Sequence, residues 1–225
     1  MENIEELYQL FLISRGVCTD SRKLEEGQLF FALRGENFDG NDFAEIALKN
    51  GAMAVIIDNP EKKNLQHAFF VPNALVTLQQ LAGFHRKHFH IPVIAITGSN
   101  GKTTTKELVS SVLSKKFQIK ATTGNLNNHI GVPLTLLSIQ PNTEFAIIEM
   151  GANHLGEIAY LCEIAQPNHG LITNIGRAHL EGFGNFDGVI KAKTELYEFL
   201  ALSNGLAFVN GEDELLLTKS NNLRR

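Results

Sequence analysis

The stretch Ile91-Pro92-Val93-Ile94-Ala95-Ile96-Thr97-Gly98-Ser99-Asn100-Gly101-Lys102-Thr103-Thr104-Thr105 constrains this chain more than any other. Its apolar run is short enough for a buried strand and ends in a turn bracketed by glycines. Lys-Thr follows, then a segment with helical periodicity through Val109, Val112 and Leu113. Strand, glycine loop and helix in this order gather backbone N–H groups and the positive end of a helix around one anion. Lys102 is then expected to reach the terminal phosphates of a nucleotide and the Thr103 hydroxyl to ligate magnesium, with Thr97, Gly98, Ser99, Asn100 and Gly101 completing the cradle. The pattern is GxxGKT rather than the commoner GxxxxGK[ST], since Ile96 stands where the first glycine would be. The strand before it and the helix after it are what qualify the shorter pattern as a phosphate loop.

A chain of 225 residues that is 44% hydrophobic can bury at least one full core, in one or two domains. Its net charge of −4 offers no basic field for nucleic acid or an anionic membrane, so neither is an expected partner and phosphate recognition has to be local. The start MENIEELYQLFLISRG is acidic and periodic, unlike a signal peptide, and no apolar run approaches bilayer length, so a cytoplasmic protein is expected. Cys18 and Cys162 lie far apart, fit no metal spacing and read as packed thiols.

Residues 1–83 read as a small N-terminal α/β domain without a phosphate loop. Ile4, Leu7, Tyr8, Leu10 and Phe11 form a helical stripe ended by Gly16. Leu29 to Leu33, Ala52 to Ile57 and Phe69 to Val71 are strand-like runs, with a polar loop from Arg34 to Gly40 and a helix from about Phe43 to Asn50 between them. A helix over 74–90 carries the boundary. Leu75, Leu78, Leu81, Ala82 and His85 share one face of it, and the cluster His85, His88 and His90, irregularly spaced, reads as a solvated helix end rather than metal ligands.

Residues 84–225 read as a central nucleotide-binding domain with a mainly parallel sheet. Its further apolar runs end in Glu149, Asn174 and Asn210, with crossover helices near 155–165 and 187–200. Ligands of such sheets sit beyond the carboxyl ends of the strands, so Glu149, Asn174 and the loop should meet in one crevice. Glu149, after four apolar residues, is placed to hold magnesium. His179, among glycines directly after a strand, reads as a ligand or metal contact. Lys191 and Lys193 point in different directions from one helix, and spacing selects neither.

The segments TGSNGKTTTKE, TTGNLNNHIGVPLTLL, IIEMGANHLGEIAYL, TNIGRAHLEGFG and KAKTELYEFL, with TDSRKLEEGQLFFALRGENFDGNDF before them, resemble the Mur ligases of peptidoglycan synthesis over essentially the whole chain up to about residue 210. GNLNNHIGVP with GANHLGEI and AHLEGFG resembles the branch that joins D-alanyl-D-alanine to UDP-N-acetylmuramoyl-tripeptide. The resemblance implies an ATP-dependent amide ligase working through an acyl phosphate, with Lys102, His179 and Lys193 as catalytic residues. It also implies magnesium ions at Thr103, Glu149 and His179, and a carbamylated Lys193. Asn128 is implied at the nucleotide; Asn125, Asn127, Asn153 and His154 at the substrate; and Ser21 and Arg22, with the loop Gly35 to Asp39, at the UDP-sugar. Arg22 can grip phosphate as a fork, its alternative being a local pair with Asp20 or Glu25. Because such ligases carry a third domain, the resemblance leads us to expect a truncated central domain, an absent C-terminal ligase domain, a monomer and little turnover by the chain alone. A non-catalytic nucleotide or UDP-muramoyl-peptide-binding module, and a sister Mur or folylpolyglutamate-type ligase, stand as alternatives.

Overall fold

Apolar runs of three to five residues, punctuated by glycine, are too short for helices and long enough to cross a sheet buried on both faces. The structure, a computed structural model, describes residues 4–177 and 180–225. It divides into two compact units, one up to His85 and one from Arg86 onward.

In the first unit α1 (Ile4–Ile13) leads to β1 (Val17–Cys18), β2 (Leu29–Phe31) and the hairpin β3 (Arg34–Gly35) with β4 (Phe38–Asp39). A 3-10 turn (Gly40–Phe43), α2 (Ala44–Lys49), β5 (Ala54–Ile57), β6 (Ala68–Phe70) and α3 (Ala74–Lys87) follow. The strands form one parallel sheet in the order β1-β2-β5-β6, with Leu29 opposite Ala54 and Val55 opposite Ala68. Phe30, Val55 and Ile57 pack with Ala44 and Ala47 of α2 into a core. The region read as one polar loop thus contains a two-stranded hairpin, too short and exposed to show an alternating pattern.

Asn41, fully buried, closes this region. Its amide nitrogen donates to Asp39 Oδ1 (2.6 Å) and Asp58 Oδ1 (2.8 Å), and its oxygen accepts from the N–H groups of Asp58 (3.1 Å) and Asn59 (3.2 Å). Asn41→Leu, close in size but unable to make any of these bonds, is expected to destabilise the protein by about 2 kcal/mol in urea unfolding, the cost of stranding buried polar partners. An unchanged midpoint would mean that water replaces Asn41 freely.

His85 corrects the sequence reading of a solvated helix end. It is buried, its Nδ1 lies 3.2 Å from the Tyr8 hydroxyl and its ring meets Phe11 edge-on, centroids 5.0 Å apart. Only His88 and His90 of the three are exposed. His85 keeps to the face of α3 that it shares with Leu78, Leu81 and Ala82, all buried, as its spacing from them predicts.

In the second unit β7 (Val93–Thr97), α4 (Lys102–Leu113), β8 (Ile119–Ala121), α5 (Gly131–Leu137), β9 (Phe145–Glu149) and α6 (Glu157–Ala165) come first. Next are β10 (His169–Ile172), α7 (Leu180–Phe183), α8 (Phe186–Leu202), β11 (Leu206–Phe208) and α9 (Glu214–Lys219). The sheet is parallel throughout, in the order β11-β10-β7-β9-β8. Ile94, Ile96 and Ile147 pack beneath Val109 and Leu113 of α4. β7 lies in the middle, with Glu149 opposite Ile96 and Ile172 opposite Thr97. The register therefore brings the ends of three strands to one rim. Among the described residues no helix is long and apolar enough to cross a membrane.

Candidate active site

At the end of β7 the chain turns through Gly98 at φ +141° and Gly101 at φ +78°, a region that side-chain-bearing residues rarely adopt. The two glycines answer different needs. A Cβ on Gly98 would lie 2.0 Å from Thr173 Oγ1, so the end of β10 passes directly against the loop, whereas a Cβ on Gly101 would meet nothing within 4 Å. The loop is tied to the segment after β10 by a polar ladder. Ser99 N donates to Asn174 O (3.0 Å), and Ser99 Oγ exchanges bonds with Gly176 O (3.0 Å) and Gly176 N (2.9 Å). Asn100 N donates to Asn174 Oδ1 (3.1 Å), while Asn100 O accepts from Thr173 Oγ1 (2.7 Å) and Asn174 Nδ2 (3.0 Å). Thr97 Oγ1 donates to Met150 O (2.8 Å). Thr97, Ser99 and Asn100 therefore shape the loop through bonds within the chain. The N–H groups opening α4, which have no partner inside the helix, are the ones left for an anion.

Lys102 folds back over this loop, its Nζ donating to Gly98 O (2.8 Å) and Ser99 O (3.3 Å). An ammonium has three protons to give, so beyond these two bonds to described residues a third can go to a phosphate. Burial lowers its pKa, and the charge of Glu149 opposes that shift.

Glu149 is 1% exposed at the tip of β9. Its Oε1 accepts from Thr103 Oγ1 (3.2 Å) and Asn127 Nδ2 (2.8 Å). Its Oε2 is buried and has no hydrogen-bond partner among the described residues. A buried carboxylate oxygen without a donor is costly, and a cation is the usual remedy. A carboxylate beside a hydroxyl, next to a phosphate loop, is a hard-oxygen set that suits magnesium, which takes one or two protein oxygens and completes its shell with phosphates and water.

The remaining candidates separate by what they touch. Asn127 holds Glu149 directly, and its carbonyl accepts from Gly151 N (2.8 Å). Asn128 uses its side-chain oxygen to accept from Ile130 N (3.0 Å) and Gly131 N (2.9 Å), capping α5. Asn125 is exposed on the same segment. Asn153 and His154, also exposed, give their N–H groups to Glu157 Oε2 (2.7 and 3.2 Å). His179 lies outside the described residues. In the first unit Arg22 forks onto Asp20, Nε to Oδ1 and Nη2 to Oδ2, both 2.8 Å, and this bond holds the Asp20 carboxyl down at about 2. Ser21 stands beside it in the same turn, half-buried.

Lys193 and Lys191 part company: Lys191 is exposed and Lys193 is 2% exposed, its Nζ 5.5 Å from the centre of the Phe183 ring. Burial, and after it the charge of Lys102, push Lys193 down to about 8, against the pull of Glu195 and Glu157. Sequence reasoning passes over Glu195, which is buried on α8 and accepts from Gly156 N (2.6 Å) and Ala159 N (2.9 Å) at the start of α6. Its signal was a carboxylate amid the apolar face of a helix. Lys106, also passed over, carries no such signal, because a lysine after three threonines on a helix reads as solvated.

The pattern and geometry match known proteins. Residues 96–224 match the Mur ligase middle domain, and residues 14–98 match the Mur ligase family, catalytic domain. The chain is 42% identical over 206 residues to a UDP-N-acetylmuramoyl-tripeptide--D-alanyl-D-alanine ligase of Bacillus subtilis, covering 91% of this chain and 45% of that protein. It is 44% identical over 197 residues to the ligase of the same name from Escherichia coli, covering 88% and 43%. The crystal structure of MurF ligase from Thermotoga maritima in complex with ADP superposes with a TM-score of 0.85 at 36% identity, over 95% of this chain and 50% of that one. The chain thus spans about half the length, or somewhat less, of the relatives it matches.

Proposed function

This chain belongs to the Mur ligase family, and on that footing we propose that its second unit binds magnesium ATP for the ligation of D-alanyl-D-alanine to UDP-N-acetylmuramoyl-tripeptide. The observation that carries the reading is the buried Oε2 of Glu149, without a hydrogen-bond partner among the described residues, beside the Thr103 hydroxyl at the mouth of the loop. The relatives named for this ligase, and the ADP held by the Thermotoga protein, support the choice of nucleotide and substrates. The reaction would run in the cytoplasm, on a monomer, as cell-wall precursor synthesis.

The terminal phosphoryl group of ATP passes to the C-terminal carboxylate of the tripeptide: a carboxylate oxygen bonds the phosphorus, the bond to the β-phosphate breaks, and an acyl phosphate and ADP result. The amine of D-alanyl-D-alanine then attacks that carbonyl, the C–N bond forms, phosphate leaves and the amine gives up a proton. In phosphoryl transfer a protein contributes mainly position and charge. The α4 N–H groups hold the phosphates in line, and Lys102 turns a remaining N–H toward the oxygens that gain charge, as a hydrogen-bond donor that keeps its proton. Thr103 and Glu149 would hold magnesium, which when bound would supply neutralising charge at the phosphates. Lys193, as a carbamate, would present a second carboxylate-like group to the metal region. The first unit, through Ser21, Arg22 and the loop Gly35 to Asp39, would take the UDP-sugar end. For that, Arg22 has to exchange Asp20 for a phosphate.

Calorimetric titration with ADP and magnesium tests the nucleotide site. Lys102→Ala is expected to weaken binding about 10–100-fold, the worth of one charge-assisted hydrogen bond. Equal affinity in the variant would remove Lys102 from the site. Phosphate release that requires both UDP-N-acetylmuramoyl-tripeptide and D-alanyl-D-alanine, measured with the C-terminal part of a relative supplied in trans, tests the ligation itself.

A further inference from the structure

Lys106 lies one turn beyond Lys102 on α4 and is 1% exposed. Enclosing an ammonium costs several kcal/mol unless it is well paired, and a lysine on this helix could have faced water at no such cost. What it gains is specific. Its Nζ donates to the backbone oxygen of Thr122 (2.7 Å) and pairs with Glu107 Oε1 (2.9 Å) at the surface. Thr122, itself buried, follows β8 directly, and its Oγ1 accepts from the backbone N–H of Glu149 (2.9 Å). From Thr122 the chain runs as a strap to Asn127, whose amide donates to Glu149 Oε1 (2.8 Å) and whose carbonyl accepts from Gly151 N (2.8 Å). The same strap therefore grips Glu149 at its backbone and at its carboxylate, and Lys106 pins the root of the strap.

We infer that Lys106 and Thr122 form a brace that sets the Glu149 carboxylate for magnesium, making Lys106 a positioning residue of a metal site it does not touch. The inference rests on the nucleotide reading above. One helix would then do two jobs, since α4 presents the Thr103 hydroxyl to the ion and, three residues later, fixes the carboxylate that faces it. Partners of this outer kind typically set metal affinity by about 10–100-fold.

The test is calorimetric titration of the full chain with ADP, once with magnesium chloride and once with EDTA, comparing wild type, Lys106→Met and Thr122→Val. The informative quantity is the ratio of the two affinities. Wild type is expected to bind ADP more tightly with magnesium. Both variants are expected to match wild type in EDTA and to lose most of that enhancement, about tenfold or more. Lys106→Arg, which can still donate to Thr122, is expected to keep it. Full enhancement in the variants overturns the brace, as does an equal loss with and without magnesium, which marks general loss of packing. A wild type with no enhancement overturns the magnesium site itself, a separate failure. If Lys106→Met does not fold, Thr122→Val decides alone, because it removes one hydroxyl at the far end of the chain of bonds.

Discussion

Glu149→Gln is expected to make the metal-free protein more stable while abolishing the magnesium dependence of nucleotide binding. The wild-type carboxylate is 1% exposed, and one of its oxygens faces no donor among the described residues. A buried acceptor left unsatisfied costs about 1–3 kcal/mol, and more when it is charged. Glutamine keeps an oxygen for Thr103 and Asn127 and replaces the charge with a neutral amide, which is cheaper to enclose. For a chain of this size each kcal/mol gained raises the melting temperature by about 2–4 °C. With saturating magnesium and ADP the order should reverse. Ligand at one hundred times its Kd stabilises by about 2.7 kcal/mol, and the variant should gain no more from magnesium ADP than from ADP alone. Thermal melts of both proteins, bare and with each ligand, decide the matter. A lower bare melting temperature in the variant would show that the wild-type carboxylate is not strained. A preserved magnesium effect would put the ion elsewhere.

That conflict between stability and function also explains how much of the molecule could be read from residues alone. A parallel α/β arrangement is legible because Val93 to Thr97 and Phe145 to Glu149 are continuous apolar runs with a polar residue at the tip, and the glycine loop between strand and helix leaves few alternatives. Glu149 stands out for the same reason: a carboxylate is out of place there unless something binds it. β8 stays hidden because a three-residue edge strand, Ile119-Lys120-Ala121, need not be apolar. Side chains whose value lies in a distant backbone atom are harder still. The oxygen of Asn128 caps a helix, Glu195 caps another from 39 residues away in the chain, and Lys106 holds a carbonyl on a neighbouring strand end. Spacing in sequence encodes a face of a helix or strand. It does not encode which loop a fold brings against that face.

Lys193 carries the other large expected effect. Its ammonium is buried near the charge of Lys102, and its pKa falls from 10.5 to about 8. Between those two values the unfolded chain holds a proton that the folded chain has released, so stability rises with pH across the window. At about 1.4 kcal/mol per unit the rise approaches 3 kcal/mol between pH 8 and 10.5, and the same amount is forfeited at neutral pH. Lys193→Met should therefore be the more stable protein at pH 7 and should flatten this limb of the pH profile. The lowered pKa also leaves a sizeable neutral fraction near pH 8, where the amine lone pair can attack carbon dioxide. An N–C bond forms, a proton goes to solvent, and the positive charge that Lys102 opposes becomes a negative one that it favours. Bicarbonate at pH 8 is thus expected to raise the melting temperature of the wild type and leave Lys193→Met unmoved. Labelled bicarbonate should give a carbamate signal by carbon-13 NMR only when Lys193 is present. No signal, together with a melting temperature indifferent to bicarbonate in the presence of magnesium, would leave Lys193 a plain buried amine and withdraw the carbamate from the mechanism.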